Sequence, residues 1–578
     1  MIFPTVEFAV FFAVVLPLSW LLMPHATAWK LFILAASYFF YAYADVRFVL
    51  LILLSTAINQ TAAKLLARWR DGRILATALV MDLGLLGWFK YYGFFALQID
   101  NTLADLGLKT PLPLLQITLP VGISFFTFQA MSYVIDVWRG RVEPTSTIDF
   151  AVYESFFPHL VAGPIVRASE FLPQLSGPRD PRRVPVTAAV FLIVGGLFKK
   201  VVLADLLATR LVDPVWATPG QHSSAEVLAA VYGYAVQIYC DFSAYSEIAI
   251  GLALLLGFRF PDNFNRPYSA VSLQDFWRRW HMTLSRWLRD YLYVPLGGSR
   301  RGRRRTYSNL LITMVLGGLW HGAAWTFVLW GSMHGAGLAV ERRWQERRGS
   351  GPSRNAIPGP ASAGRMPSPR VVGDPAGDPP EEDVAPWRTA VPTNAAGTSE
   401  PLDTAVGPGV VGDNVATVRA GGGGETGSGG ADGGEAGSIG ANNGVTTVIA
   451  PAQRGSTRVA GDTQRATGGV WLRRILVFHF VCAAWVLFRS PDLATAGEIF
   501  KRIVHGPGPS PLVTPTVLAA IAAGLLTQAV PRGWWTWARE RFAELALGVQ
   551  VGGLIVAVLL THALVSNAGA APFIYFRF

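Results

Sequence analysis

The stretch Phe276-Trp277-Arg278-Arg279-Trp280-His281-Met282-Thr283-Leu284-Ser285-Arg286-Trp287-Leu288-Arg289-Asp290 packs three tryptophans, one histidine and four arginines into fifteen residues. Just before it, Ser272-Leu273-Gln274-Asp275 fits a helix N-cap followed by an acid at the third helical position. The pattern therefore predicts a helix running on from Ser272. Trp277, Trp280, His281, Leu284 and Leu288 then share one face, while Arg278, Arg279, Arg286 and Arg289 turn away from it. Two readings fit this pattern equally well: an interfacial amphipathic helix anchored by Trp and Arg, and one wall of an active site.

The surroundings decide the solvent. Of 578 residues 51% are hydrophobic and only 15% charged, with a mean hydropathy of +0.35. Soluble domains carry about a quarter charged residues. Twelve apolar runs, at residues 6–23, 29–43, 48–66, 74–97, 114–138, 186–206, 225–260, 309–320, 323–340, 471–488, 513–530 and 545–565, approach or reach the length that crosses a bilayer as a helix. Several are short or broken by Gly and Pro. The expectation is an all-α polytopic membrane protein with about eleven crossings plus re-entrant pieces. The first run lacks a basic lead-in and a small-residue cleavage site, so it reads as a retained helix.

Residues 349–468 differ in kind. Twenty-five of these 120 are glycine, aromatics are almost absent, and the segment carries eight arginines against twelve acids. Such a composition cannot offset the entropy of ordering, and we read it as a disordered insert. It divides the chain into a core at 1–348, the insert at 349–468 and further membrane helices at 469–578. Its flanks, Arg342-Arg343 and Arg347-Arg348 before and Arg473-Arg474 after, are basic, which by the positive-inside rule puts the insert in the cytoplasm. The net charge of +11 leaves +15 outside the insert, a topology signal rather than a sign of nucleic-acid binding. Cys240 and Cys482 both sit in apolar runs and read as buried small residues, with neither a disulfide nor a zinc pattern.

Other segments carry polar residues into apolar surroundings. Residues 157–167 are punctuated by Pro and Gly and suit a re-entrant turn. Asp241 and Glu247 place two carboxylates in the 225–260 run, where ionisable groups are costly and tend to be paired or functional. Residues 257–268 form a polar exit loop that includes Asn263 and Asn265. From Phe276 to Arg305 there are nine arginines and one acid. They suit either lipid headgroups or the phosphates of an anionic substrate. In Gly317-Gly318-Leu319-Trp320-His321-Gly322, glycines crowd a histidine and would let backbone or ligand approach it closely. A desolvated, neutral His321 could serve as a base near pH 7.

Taken together, Trp277-Arg278-Arg279-Trp280-His281, Thr283-Leu284-Ser285, Trp287-Leu288-Arg289-Asp290-Tyr291, Pro295-Leu296-Gly297-Gly298 and Gly318-Leu319-Trp320-His321-Gly322 resemble the membrane-bound O-acyltransferases, most closely their bacterial alginate O-acetyltransferase-like branch. Ala162-Gly163-Pro164-Ile165, Asp241-Phe242-Ser243, Gly257-Phe258-Arg259-Phe260-Pro261, Asn263-Phe264-Asn265 and Phe573-Ile574-Tyr575-Phe576 add to the likeness, which covers the chain apart from 349–468. Cys240, Ala244 and Arg266 depart from the family pattern.

The resemblance implies helices ringed around a central funnel, in the inner (plasma) membrane. It implies a cytoplasmic acetyl-CoA or other acyl thioester as donor substrate, with no bound cofactor and no metal. The acyl group would pass to a hydroxyl for O-acetylation of an exported or cell-envelope polysaccharide, by way of an extracytoplasmic acyltransferase partner protein. The family's catalytic histidines map onto His321, the expected general base, and His281, which could orient or polarise the thioester. Substrate contacts are expected from Trp277, Trp280, Trp320, Arg278, Arg279, Arg289, Asp241 and Asn265. D-alanyl transfer from a carrier-protein thioester to teichoic acid, and a non-enzymatic polysaccharide export channel or scaffold, are the alternatives.

Overall fold

The computed structural model describes the chain except for residues 2, 4, 109–117, 161–162, 349–459, 547, 551, 554–555, 557–562 and 564–578, and gives the backbone alone for 460–468 and 532. The described residues belong to a unit made of Met1–Ser353 and Val459–Phe578, while a second unit, Arg354–Arg458, lies outside them. The expected insert therefore falls almost wholly outside the described residues. Its last nine, 460–468, are the exception, because they already form the start of the helix Ala460–Arg489. The resembling segment 573–576 and most of the 545–565 run also lie outside.

Among the described residues all regular structure is helical. The chain opens with α1 (Val6–Leu22), α2 (Ala26–Ala42), α3 (Val46–Trp69), α4 (Gly72–Asp105) and α5 (Ile123–Trp138). Then come α6 (Val186–Phe198), which runs on as a π-helical segment Lys199–Asp205, and α7 (Ser224–Leu255). The central stretch supplies α8 (Leu273–Trp277) and α9 (Met282–Leu288); it is followed by α10 (Arg303–His321), α11 (Trp325–Arg347), α12 (Ala460–Arg489) and α13 (Pro515–Leu526). Five helical stretches are long and apolar enough to cross a membrane: Val46–Trp69, Gly72–Asp105, Val186–Ala217, Ser224–Leu255 and Gly469–Arg489. Apolar side chains such as Val10 and Val14 of α1 and Val80 and Leu83 of α4 remain exposed, as lipid-facing surfaces require. This is a polytopic membrane protein.

Helix α7 is the hub and is almost wholly enclosed. Its closest neighbour is α6, and glycines on both sides allow that approach. A Cβ on Gly196 would stand 2.9 Å from the Ala244 carbonyl oxygen, and one on Gly251 would stand 2.8 Å from that of Ala189. Between membrane helices, van der Waals packing of small residues replaces the hydrophobic drive. The carboxylates of α7 are paired here: Lys200 Nζ lies 2.8 Å from both Asp205 and Asp241, and Lys199 pairs with Glu247. Likewise Glu154 accepts hydrogen bonds from Ser55 and Thr56 of α3, and Asn59 donates to Asp82 of α4.

The hairpin of α10 and α11 packs backbone to backbone. A Cβ on Gly318 would come within 2.3 Å of the Phe327 carbonyl oxygen, and one on Gly331 within 2.3 Å of that of Met314. Gly331 and Gly335 stand four apart, the small-residue spacing of close membrane helix pairs. This packing carries His321, the last residue of α10, into the interior.

Candidate active site

The central stretch starts as its sequence predicts and then departs. Ser272 Oγ accepts from the Asp275 backbone N–H at 3.0 Å, while the Asp275 carboxylate takes the N–H of Val271 at 3.2 Å. The expected continuous helix does not form, however. Helix α8 ends at Trp277, and His281 adopts a left-handed backbone with φ 41 before α9 begins. The exit loop enforces this break, because Met282 N–H donates to the Asn263 backbone oxygen at 2.9 Å and Asn265 N–H donates to the Arg279 oxygen at 2.9 Å. Two loop bonds outweigh local helix propensity, and the shared face from Trp277 to Leu288 is lost. A left-handed non-glycine residue costs roughly 1–2 kcal/mol, and such strain clusters at functional sites.

His281 is fully buried, and its protonation pattern can be read from its neighbours. The backbone N–H of Thr283 donates to the Asn263 side chain at 3.2 Å, which identifies the accepting atom as the amide oxygen. The same oxygen lies 3.1 Å from His281 Nδ1 and accepts from the Thr283 hydroxyl at 2.9 Å, while the amide nitrogen donates to Ser246 Oγ at 3.1 Å. His281 Nδ1 must therefore carry a hydrogen, which leaves Nε2 of the neutral ring as an acceptor. That atom is buried and has no hydrogen-bond partner among the described residues. The ring stands edge-on to Phe242, 4.7 Å away between centroids. Of the two roles the sequence leaves open for His281, orienting a donor group suits this tautomer, whereas polarising a thioester carbonyl would require an N–H at Nε2.

Trp320 touches both histidines, with centroids 6.1 Å from His281 and 5.0 Å from His321. His321 is 4% exposed and is walled by Trp330 and Phe488, at 5.3 and 5.2 Å. The fold thus brings the two expected histidines, far apart in sequence, to one tryptophan. The end of α10 is held by α4, where Lys90 Nζ donates to the carbonyl oxygens of Trp320 and His321 and Tyr91 donates to that of Leu319.

The other expected residues are placed as follows. Trp280 is buried against Phe276 and Trp485, at 5.7 and 4.9 Å. Trp277 stacks edge-on with His334 and Trp330, at 5.2 and 5.8 Å. Arg278 is exposed, Arg279 pairs with Asp275 at 2.8 Å, and Arg289 pairs with Asp290 at 2.6 Å, so the three arginines are not gathered at the histidines. Burial pushes the Asp290 carboxyl up, but Arg289 and Arg167 outweigh it and hold the group below the usual carboxylate range. Asp241 is bound to Lys200, and its neighbour Phe242 is the residue that meets His281. The Asn265 side-chain oxygen is buried without a partner among the described residues, while Asn263 is the residue that meets His281. Sequence reasoning missed Asn263, Lys90 and His334. The first was quoted in a matching motif but left without a role, and Lys90 was hidden inside an apolar run. His334 was given no role, yet it is fully buried with neither ring nitrogen hydrogen-bonded among the described residues.

The sequence pattern of the MBOAT, membrane-bound O-acyltransferase family, matches residues 121–348, which include Asn263, His281, His321 and His334. Over this region the chain is similar to the membrane-bound O-acyltransferases. It is 44% identical over 320 residues to the probable alginate O-acetylase AlgI of Pseudomonas aeruginosa, covering 54% of this chain and 61% of that protein. It is 38% identical over 348 residues to the peptidoglycan O-acetyltransferase of Helicobacter pylori, covering 54% and 64%. With the teichoic acid D-alanyltransferase of Streptococcus thermophilus it shares 30% identity over 240 residues, covering 39% and 58%. The chain thus spans under two thirds of the length of each of these relatives. Within this O-acyltransferase framework, Lys90 and Phe488 lie outside the family-matched region, although both help to enclose His321.

Proposed function

We propose that this membrane-bound O-acyltransferase moves an acetyl group from acetyl-CoA, reached from the cytoplasm, to a hydroxyl, in the O-acetylation of an exported or cell-envelope polysaccharide. One observation carries the reading: His281 and His321 converge on Trp320 inside the family-matched region, both buried. The names of the Pseudomonas and Helicobacter relatives support the acetyl group and the envelope acceptor.

In this reading a nitrogen of neutral His321 takes the proton of the attacking hydroxyl as its oxygen bonds the acyl carbon. The carbon–sulfur bond breaks, and the proton passes from His321 to the departing thiolate. His281 Nε2, fixed as an acceptor, orients the donor by accepting the amide N–H that lies beside the thioester in a pantetheine arm. An extracytoplasmic acyltransferase would receive the acetyl group or the acetylated product. About eleven crossings around a central funnel, an inner-membrane location and a cytoplasmic 349–468 insert complete the proposal.

The test is transfer of labelled acetyl from acetyl-CoA by the purified protein in nanodiscs, with envelope polysaccharide as acceptor. His321→Ala is expected to abolish it, and transfer at the unmutated rate would refute the reading. The Streptococcus relative favours a second reading, D-alanyl transfer from a carrier-protein thioester. Transfer from that carrier, with no response to acetyl-CoA, would select it.

A further inference from the structure

A helix leaves its last four carbonyl groups without intrahelical partners. Glycine in a left-handed conformation after the last residue often closes such an end, but α10 lacks that device: Gly322, which follows His321, is extended with φ −165. The cap comes instead from side chains of α4. Lys90 Nζ lies 2.5 Å from the Trp320 oxygen and 3.0 Å from the His321 oxygen, and the Tyr91 hydroxyl lies 2.7 Å from the Leu319 oxygen. Two consecutive residues thus serve three consecutive carbonyls. A fourth contact ties the group to α5, with Ser124 Oγ 3.5 Å from Lys90 Nζ.

Lys90 is also unlike the other lysines enclosed with it. Lys199 and Lys200 sit beside carboxylates, whereas among the described residues the Lys90 ammonium faces carbonyl and hydroxyl oxygens and, at 5.9 Å, the Trp320 ring. An ammonium enclosed at membrane depth without an acid is expensive, and the negative end of the α10 dipole is the one compensation the geometry offers it. That arrangement places an amine able to carry positive charge against the backbone of the residue whose imidazole stands at the reaction centre.

We propose that Lys90 is a positioning residue for His321: its ammonium caps α10 at the reactive histidine, fixes the ring's place and opposes a second positive charge on it. The proposal rests on the acyltransferase reading for its meaning in turnover. The groups around the His321 ring are Trp320 of α10, Trp330 of α11 and Phe488 of α12, which are uncharged, with His281 packed on Trp320 and His334 packed on Trp330. Lys90 is the charged group that α4 brings to this end.

Three substitutions in the full-length protein in nanodiscs separate the parts. Lys90→Met removes both bonds and charge, and kcat for acetyl transfer should fall about ten- to a hundred-fold, with KM for acetyl-CoA changed less than threefold. Lys90→Gln keeps amide donors without charge; it should recover part of kcat but move the acid limb of the kcat profile up by about one pH unit, because His321 then protonates more readily. Lys90→Arg should restore the wild-type limb. Lys64→Gln, at an exposed lysine bonded to Thr147, is the control expected to change nothing. The limb shift can also be read without turnover, from 15N spectra of histidine-labelled protein in which the His321 signal is assigned by its loss in His321→Ala. Wild-type protein that transfers no acyl group from any thioester would overturn the acyltransferase reading, while an upward shift of the His321 signal in Lys90→Gln would still support the positioning role. Unchanged kcat, pH limb and His321 titration in both Lys90→Gln and Lys90→Met would overturn that role. If Lys90→Met fails to fold, Lys90→Gln alone decides.

Discussion

Replacing Asn263 by alanine tests whether the tautomer of His281 is set by the fold. The Asn263 amide oxygen accepts from His281 Nδ1 at 3.1 Å, Thr283 N–H at 3.2 Å and Thr283 Oγ1 at 2.9 Å, and its nitrogen donates to Ser246 at 3.1 Å. All four residues are buried, with Asn263 itself 2% exposed. Losing a buried partner costs about 1–3 kcal/mol for each group left unsatisfied. The Thr283 hydroxyl can turn toward another acceptor, but the Thr283 N–H cannot, and the His281 N–H can be satisfied only if the ring or its hydrogen moves, so a loss of about 2–6 kcal/mol is expected, shared between global stability and that local rearrangement. Without the oxygen the imidazole can rotate or move its hydrogen to Nε2, and kcat should drop about a hundredfold, the scale that a misplacement of 1 Å can reach. Asn263→Asp gives the sharper result. A carboxylate beside Nδ1–H stabilises the imidazolium, so Nε2 becomes protonated at higher pH and the acid limb of kcat moves upward. The assay is acetyl transfer from pH 5 to 9 together with thermal unfolding in the same detergent. An Asn263→Ala protein with kcat within twofold of wild type would refute the tautomer argument, as would an Asn263→Asp protein with an unmoved acid limb.

Further outcomes follow from packing and charge. Gly331→Ala would set a Cβ 2.3 Å from the Met314 oxygen and 2.9 Å from the Val315 Cα, both backbone atoms that cannot rotate aside. The α10–α11 hairpin must open, with a loss of about 1–3 kcal/mol in unfolding and a parallel loss of transfer activity; unchanged melting would show that the close approach is not rigid. Asp290, 2.8 Å from Arg167 and 2.6 Å from Arg289, is held below its ordinary pKa. A carboxylate of this kind contributes stability above its unfolded value of about 3.9, and the contribution is lost as pH falls through the lower folded value. Asp290→Asn should therefore melt earlier than wild type at pH 7, and the difference should shrink as the pH is taken below about 4. A difference constant down to pH 3 would contradict the ion-pair origin.

Much of this architecture was legible because lipid imposes few solutions. Apolar runs marked where the five long apolar stretches begin, at Val46, Gly72, Val186, Ser224 and Gly469, to within two residues, since length and composition define them, whereas the ends of Gly72–Asp105, Val186–Ala217 and Ser224–Leu255 were misplaced by five to eleven residues. The same logic singled out His321, because an ionisable side chain between glycines in an apolar run needs a reason to be there. The break at His281 was not legible. Its local pattern reads as an unbroken amphipathic helix, and the bonds that interrupt it come from Asn263 and Asn265, whose effect on residues 279–283 requires the tertiary fold. Lys90 was hidden for the opposite reason: a single lysine in an apolar run reads as a snorkelling side chain, and only the arrival of α10 shows where the ammonium goes.

The two histidines are therefore held by different kinds of restraint. His281 gains its place from a side-chain amide and a strained backbone, which together define an acceptor atom within a short loop. His321 gains its place from the end of a helix, which the Gly318 and Gly331 packing seats against α11 and Lys90 seats against α4. Because no helix supplies both restraints, substitutions at Asn263 and at Lys90 should each alter one histidine while leaving the other's hydrogen bonds intact. Their effects on the transfer barrier should then add, in kcal/mol, to within about 0.5. Strong non-additivity in the double variant would mean that Trp320, which touches both rings, transmits displacement from one to the other.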